Sequence, residues 1–130
     1  MAIDRALVVD DDPLSREFLG EVLRRAGLQV LCAPDGRSAW ELLQKEDVDL
    51  LFSDLRMPGM SGIELLEKVH QALPETTIVL TTAYASVQGA VEAMRKGAYD
   101  YIVKPFSADE IEMLLERVRD PDAPVRRVIA

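Results

Sequence analysis

Cysteine is almost missing from this chain: one of its 130 residues, Cys32, carries a thiol. No internal disulfide can form, and the strand-like surroundings of Cys32 predict a buried structural thiol. A chain with no disulfide framework is read by default as cytoplasmic. No apolar run approaches the roughly 20 residues that a membrane span needs. The start, Met1-Ala2-Ile3-Asp4-Arg5, lacks the charged-then-apolar layout of a signal peptide. Histidine occurs once, as His70 between Lys68 and Gln71 within a helical pattern. That predicts a solvated side chain, since a phosphohistidine or a metal ligand would want partners nearby. Positive charge is short as well. Fifteen Lys and Arg face 23 Asp and Glu, a formal net charge of −8. Binding to DNA or RNA by phosphate contacts needs clustered cations, so the charge argues against direct nucleic-acid contact by this segment, though acidity by itself names no partner.

What is present is a regular alternation. Apolar runs of strand length at Ala6–Val9, Gln29–Ala33, Asp49–Ser53, Thr77–Thr81 and Tyr99–Val103 are each followed by a helical pattern. Asp12 before Pro13 is an N-cap followed by proline at the first helical position. Leu14, Phe18, Leu19, Val22 and Leu23 then recur at helical spacing up to Gly27. Asp35-Gly36 opens a second helix with Ala39, Trp40, Leu42 and Leu43 on its apolar face. Ser61 with Glu64 and Ser107 with Glu110 are capping boxes for the third and fifth helices. The fourth helix offers Val87, Val91 and Met94. Five strand–helix units joined by short loops predict an α/β fold, a parallel sheet with helices on both faces. Right-handed crossovers favour the doubly wound, flavodoxin-like strand order 2-1-3-4-5. Residues 4–119 make one domain, and 120–130, with two prolines and no periodicity, read as a linker or disordered tail.

The third strand delivers one carboxylate, Asp54, to a loop turned by Pro58-Gly59. An Asp there can simply start a turn. Its neighbours argue for more. In a parallel sheet the carboxyl ends of all strands share one edge, and ligands bind where the strand order reverses. The first strand ends in Asp10-Asp11, the fourth in Thr81-Thr82 and the fifth in Lys104-Pro105. Three converging carboxylates repel unless a cation joins them, and Mg²⁺, a hard ion that takes oxygen ligands, suits them. Lys104 can pair with a carboxylate or a phosphoryl group, and Thr82 can donate to a phosphoryl oxygen. These are parts for phosphoryl transfer to a carboxylate.

At Val8-Val9-Asp10-Asp11, Ser53-Asp54, Met57-Pro58-Gly59, Thr82-Ala83 and Lys104-Pro105-Phe106 the chain resembles the receiver domains of two-component response regulators. The resemblance implies that Asp54 accepts a phosphoryl group from a histidine kinase. It implies that Asp11, Asp54 and the Arg56 carbonyl bind Mg²⁺ directly, with Asp10 acting through a metal-bound water. Lys104 becomes the phosphate-binding lysine, Thr82 and Tyr101 a switch pair, and Pro105 the partner of a cis peptide bond. Arg56 and Tyr84 fall where relatives tune dephosphorylation. In such a switch Thr82 shifts, Tyr101 turns inward, and the surface of the fourth helix, fifth strand and fifth helix then dimerises or binds a partner. Asp12 is read as the helix N-cap rather than a metal ligand.

The stretches Thr82–Val87, Ala90–Met94 and Gly97–Tyr101 resemble receivers of sigma-54-dependent transcription activators. In those a linker leads to further output domains; a stand-alone receiver acting by protein–protein contact fits nearly as well. No classical turnover enzyme is expected beyond self-phosphorylation and autodephosphorylation. A Mg²⁺-dependent phosphatase with an Asp nucleophile would want Thr or Val where Leu14 stands, and a flavin binder would want phosphate loops rich in hydroxyls and glycine.

Overall fold

The computed structural model describes residues 3–120, so all but the first residue of the expected linker lies outside the described residues. Strands and helices alternate: β1 (Arg5–Val9), α1 (Pro13–Arg25), β2 (Gln29–Ala33), α2 (Gly36–Lys45), β3 (Leu50–Asp54), α3 (Gly62–Ala72), β4 (Thr77–Thr82), α4 (Val87–Arg95), β5 (Asp100–Val103) and α5 (Ala108–Arg119). The sheet order is β2-β1-β3-β4-β5 with every pair parallel, the doubly wound order expected.

Alternation along the central strands sorts their side chains into two cores. Leu7, Val9, Leu51, Ile78, Leu80 and Tyr101 pack with residues of α2, α3 and α4. Ala6, Val8, Leu50, Phe52, Val79 and Ile102 pack with Leu19, Val22 and Leu23 of α1 and Ile111, Leu114 and Leu115 of α5. β3 is buried along its whole length. An unbroken apolar strand is what two covered faces require.

Helix starts follow the side chains that cap them. Asp12 accepts from the Leu14 amide and from Ser15 Oγ. Asp35 and Ser86 cap α2 and α4, and both capping boxes form as expected. Each cap satisfies amides that the first turn leaves without a helical partner.

Four side chains depart from the sequence expectation. Leu14 is 75% exposed and Phe18 43% exposed, because the first turns of α1 begin at the carboxyl edge of the sheet, and only from Leu19 onward does the helix pack on it. Phe18 instead faces Phe106, with ring centroids 6.1 Å apart. On α4 the seated residues are Ala90 and Ala93, while Val87 is exposed and Val91 and Met94 are half-buried. Small residues let the helix backbone come close to the sheet. Cys32 is exposed rather than buried, since β2 is an edge strand with a neighbour on one side only. His70 is solvent-exposed, as its helical position predicts. Among the described residues no helix is long and apolar enough to cross a membrane.

Candidate functional site

Register decides which strand ends meet. Val9 lies opposite Ser53, Asp54 opposite Thr81, and Thr82 opposite Val103. Asp10, Asp54, Thr82 and Lys104 therefore leave the sheet at nearly the same height, on the edge where ligands of such sheets bind. One oxygen each from Asp10, Asp11 and Asp54 lies within 4.8 Å of the other two. Asp10 and Asp54 are buried and Asp11 is exposed.

The cation held against them is Lys104. Its Nζ donates to Asp10 Oδ2 at 2.7 Å and to Asp54 Oδ2 at 3.3 Å. Burial alone would push its pKa down, but the hydrogen bond and charge of Asp10, reinforced by Asp54, carry it above the ordinary lysine value. Asp54 shifts the other way from a well-paired carboxylate. Burial holds its pKa above the usual Asp value, and the Asp10 charge adds to this, outweighing Lys104 and the Arg56 amide. The two directions agree physically. Lys104 is shared but leans on Asp10, which leaves Asp54 the less compensated acid.

The loops around the carboxylates are fixed by their own hydrogen bonds. Asp10 Oδ1 accepts from the Asp12 amide at 2.9 Å, and Asp54 Oδ1 from the Arg56 amide at 3.3 Å. The Arg56 N–H is thus held on Asp54. The Lys104–Pro105 peptide bond is cis. Thr82 reaches the same edge, yet its hydroxyl is held by Tyr84: it accepts from the Tyr84 amide at 3.0 Å and donates to the Tyr84 carbonyl at 3.4 Å. Tyr101, the other member of the expected switch pair, stands beside it. It is buried, 7% exposed, with its hydroxyl donating to the same Tyr84 carbonyl at 3.5 Å. β5 pairs with β4 in a register that aims this side chain at the core under α4.

Three features escaped the sequence. The Arg56 guanidinium lies over the Tyr84 ring, 4.5 Å from its centroid, so two residues from different loops form one contact. Arg16 reaches back from α1 to the Asp10 carbonyl at 2.7 Å. Gly62, the first residue of α3, passes so close to β3 that an added Cβ would overlap the Asp54 carbonyl oxygen and come within 2.8 Å of Leu55 Cα. Both are backbone atoms and cannot swing aside. Gly62→Ala is expected to lose about 1–3 kcal/mol of stability through this overpacking. A thermal melt read beside the phosphoryl-uptake rate checks it, because any relief must displace the residue that carries Asp54.

Chemically, three hard oxygens within 4.8 Å of one another suit a hard divalent cation. The cluster could hold such an ion, and an ammonium beside it could meet a further anion.

Comparison with known proteins agrees with this geometry. Residues 6–116 match the model of the response regulator receiver domain. The chain is 40% identical over 116 residues to the regulatory protein AtoC of Escherichia coli, covering 89% of this chain and 25% of that protein. It is 41% identical over 110 residues to the E. coli DNA-binding transcriptional regulator NtrC, covering 85% and 24%. It therefore spans about a quarter of the length of these curated relatives. Among solved structures, the chemotaxis protein CheY4 of Vibrio cholerae superposes with a TM-score of 0.84 at 34% identity, covering 90% of this chain and 99% of that one. NtrX of Brucella abortus superposes with a TM-score of 0.84 at 32% identity, covering 90% and 27%. With the fold, the acidic cluster and the matched residues in agreement, the chain belongs to the response regulator receiver domain family.

Proposed function

We propose that the domain is a phosphorylation switch in which Asp54 accepts a phosphoryl group from the phosphohistidine of a kinase. The observation that carries this is the meeting of Asp10, Asp11 and Asp54 within 4.8 Å, with Lys104 bonded to two of them. An Asp54 carboxylate oxygen attacks phosphorus, the P–N bond to the donor histidine breaks, and the imidazole leaves and takes up a proton. Asp11 and Asp54, with the Arg56 carbonyl, would hold Mg²⁺, and Asp10 would reach it through water. Bound there, the ion would neutralise charge on the acids and on the phosphoryl oxygens. Lys104 leaves Asp54 to meet the incoming phosphoryl group while Asp10 keeps it close.

Thr82 then exchanges the hydrogen bond it donates to the Tyr84 carbonyl for one donated to a phosphoryl oxygen. That change reaches Tyr101, because both hydroxyls share the Tyr84 carbonyl. The readout is the α4–β5–α5 surface, where Val87, Val103 and Met113 are exposed and only Ala90 and Ala93 of α4 are buried. This surface engages a second copy or an output partner. The named relatives include a DNA-binding transcriptional regulator about four times as long, which supports an output domain that acts on transcription in the cytoplasm. The test is uptake of labelled phosphoryl from acetyl phosphate or a kinase: one per chain with Mg²⁺, none with a chelator in excess.

The stack of Arg56 on Tyr84 ties together the loops that follow Asp54 and Thr82, and in this reading it keeps attacking water away from the acyl phosphate. Arg56→Ala is expected to shorten the lifetime of the phosphorylated form by about tenfold, as loss of a contact of roughly 1 kcal/mol or slightly more allows. The decay of label after removal of donor checks this; an unchanged lifetime removes the stack from the account.

A further inference from the structure

We propose that Arg16 is a positioning residue for the metal, acting through the peptide that joins Asp10 to Asp11; this rests on the Mg²⁺ reading above. Arg16 is the fourth residue of α1. A cation near a helix N-terminus is disfavoured by the helix dipole, so its placement needs another explanation. Acidic partners are plentiful in a chain with 23 Asp and Glu, yet among the described residues Arg16 forms no salt bridge. Its half-buried guanidinium instead donates from Nη1 to the Asp10 carbonyl at 2.7 Å.

That bond completes the fixing of Asp10. Its amide donates to the Ala33 carbonyl at 3.2 Å, Oδ1 accepts from Asp12, and Oδ2 from Lys104. The carbonyl is the atom that matters for the next residue. A peptide unit is planar and stiff, so pinning the Asp10 oxygen fixes the plane containing the Asp11 nitrogen and Cα. Asp11 is exposed and has no side-chain hydrogen bond of its own among the described residues, yet its carboxylate lies within 4.8 Å of the other two. Arg16 supplies the aim that Asp11 lacks.

A guanidinium beside a divalent ion also repels it, so removing the side chain has two opposed effects. Loss of charge favours binding, and loss of the pinned peptide disfavours it. Groups that orient a ligand from outside the coordination shell typically account for about 10- to 100-fold in metal affinity, and the low end applies with this offset. Titration calorimetry of the whole chain with MgCl₂ at fixed ionic strength separates the cases, with melting curves confirming that each variant is folded. Arg16→Ala is expected to bind Mg²⁺ about tenfold more weakly. Arg16→Lys, which keeps one donor able to reach the carbonyl, stays within about threefold of the parent. In acetyl phosphate kinetics the Mg²⁺ concentration for half-maximal rate rises by the same factor in Arg16→Ala, while the rate at saturating Mg²⁺ returns to the parental value. Equal or tighter binding by Arg16→Ala overturns the positioning role, as does an Arg16→Lys variant no better than Arg16→Ala. A parental chain that binds no Mg²⁺ overturns the metal reading itself, and this proposal with it.

Discussion

Asp54→Asn takes up no phosphoryl group and is more stable than the parent at neutral pH. The amide is nearly isosteric but has no anionic oxygen to attack phosphorus, so stoichiometry falls from one per chain to background. The stability gain follows from the direction of the Asp54 shift. Burial, with the Asp10 charge, raises its pKa above the ordinary 3.8 in the folded chain. The folded state therefore keeps this proton to a higher pH than the unfolded state does. Stability falls as pH rises from 3.8 through the folded pKa, and the full deficit is present above it. Asn removes the deficit, so its melting temperature exceeds the parent's at pH 7 and the difference closes at pH below 3.8. Lys104 is not stranded by the change, because its shorter bond is to Asp10. Melting curves at several pH values check this; a variant less stable than the parent at pH 7 would mean that the Lys104 pairing outweighs burial.

Lys104→Met has the opposite signature. It leaves Asp10 and Asp54 without their shared ammonium and removes a donor aimed at charge that develops during transfer. Loss of one such donor lowers the rate by about 10²- to 10³-fold. Breaking a buried pair from one side costs about 3 kcal/mol without Mg²⁺, because the remaining charges stay desolvated. The lysine's folded pKa is raised above 10.5. Its stabilisation is thus fully present below that pH and fades as the pH climbs through the folded value. The variant's melting deficit is accordingly clear at pH 7 and narrows in strong alkali. A parental phosphorylation rate in Lys104→Met would exclude the lysine from the chemistry.

The constellation was legible because each carries its signal locally. Asp10, Asp54 and Lys104 are charged residues placed straight after apolar strands, and the alternation of strand and helix puts all such ends on one edge. The caps were legible for a similar reason, since Asp12, Ser61 and Ser107 act within a few residues of themselves. What escaped depends on relations between elements. Leu14 and Phe18 fit a helical stripe, but where α1 begins relative to the sheet edge decides whether a stripe is covered. Cys32 reads as a core residue until β2 is known to be an edge strand. The Tyr101–Tyr84 hydrogen bond, the Arg56–Tyr84 stack and the close approach of Gly62 to Asp54 each need two loops or strands in register. Arg16 looks like an ordinary charged helix residue; only the path of the β1–α1 loop turns it toward Asp10.

The central claim is that Asp54 is the carboxylate that carries phosphorus. After reaction with acetyl phosphate and Mg²⁺, borohydride reduces an acyl phosphate to the alcohol, and trypsin releases the peptide 46–56 for mass spectrometry. The account predicts reduction at Asp54 alone, and none when Mg²⁺ is chelated. Reduction at Asp10 or Asp11, or at Asp54 regardless of the metal, would contradict it.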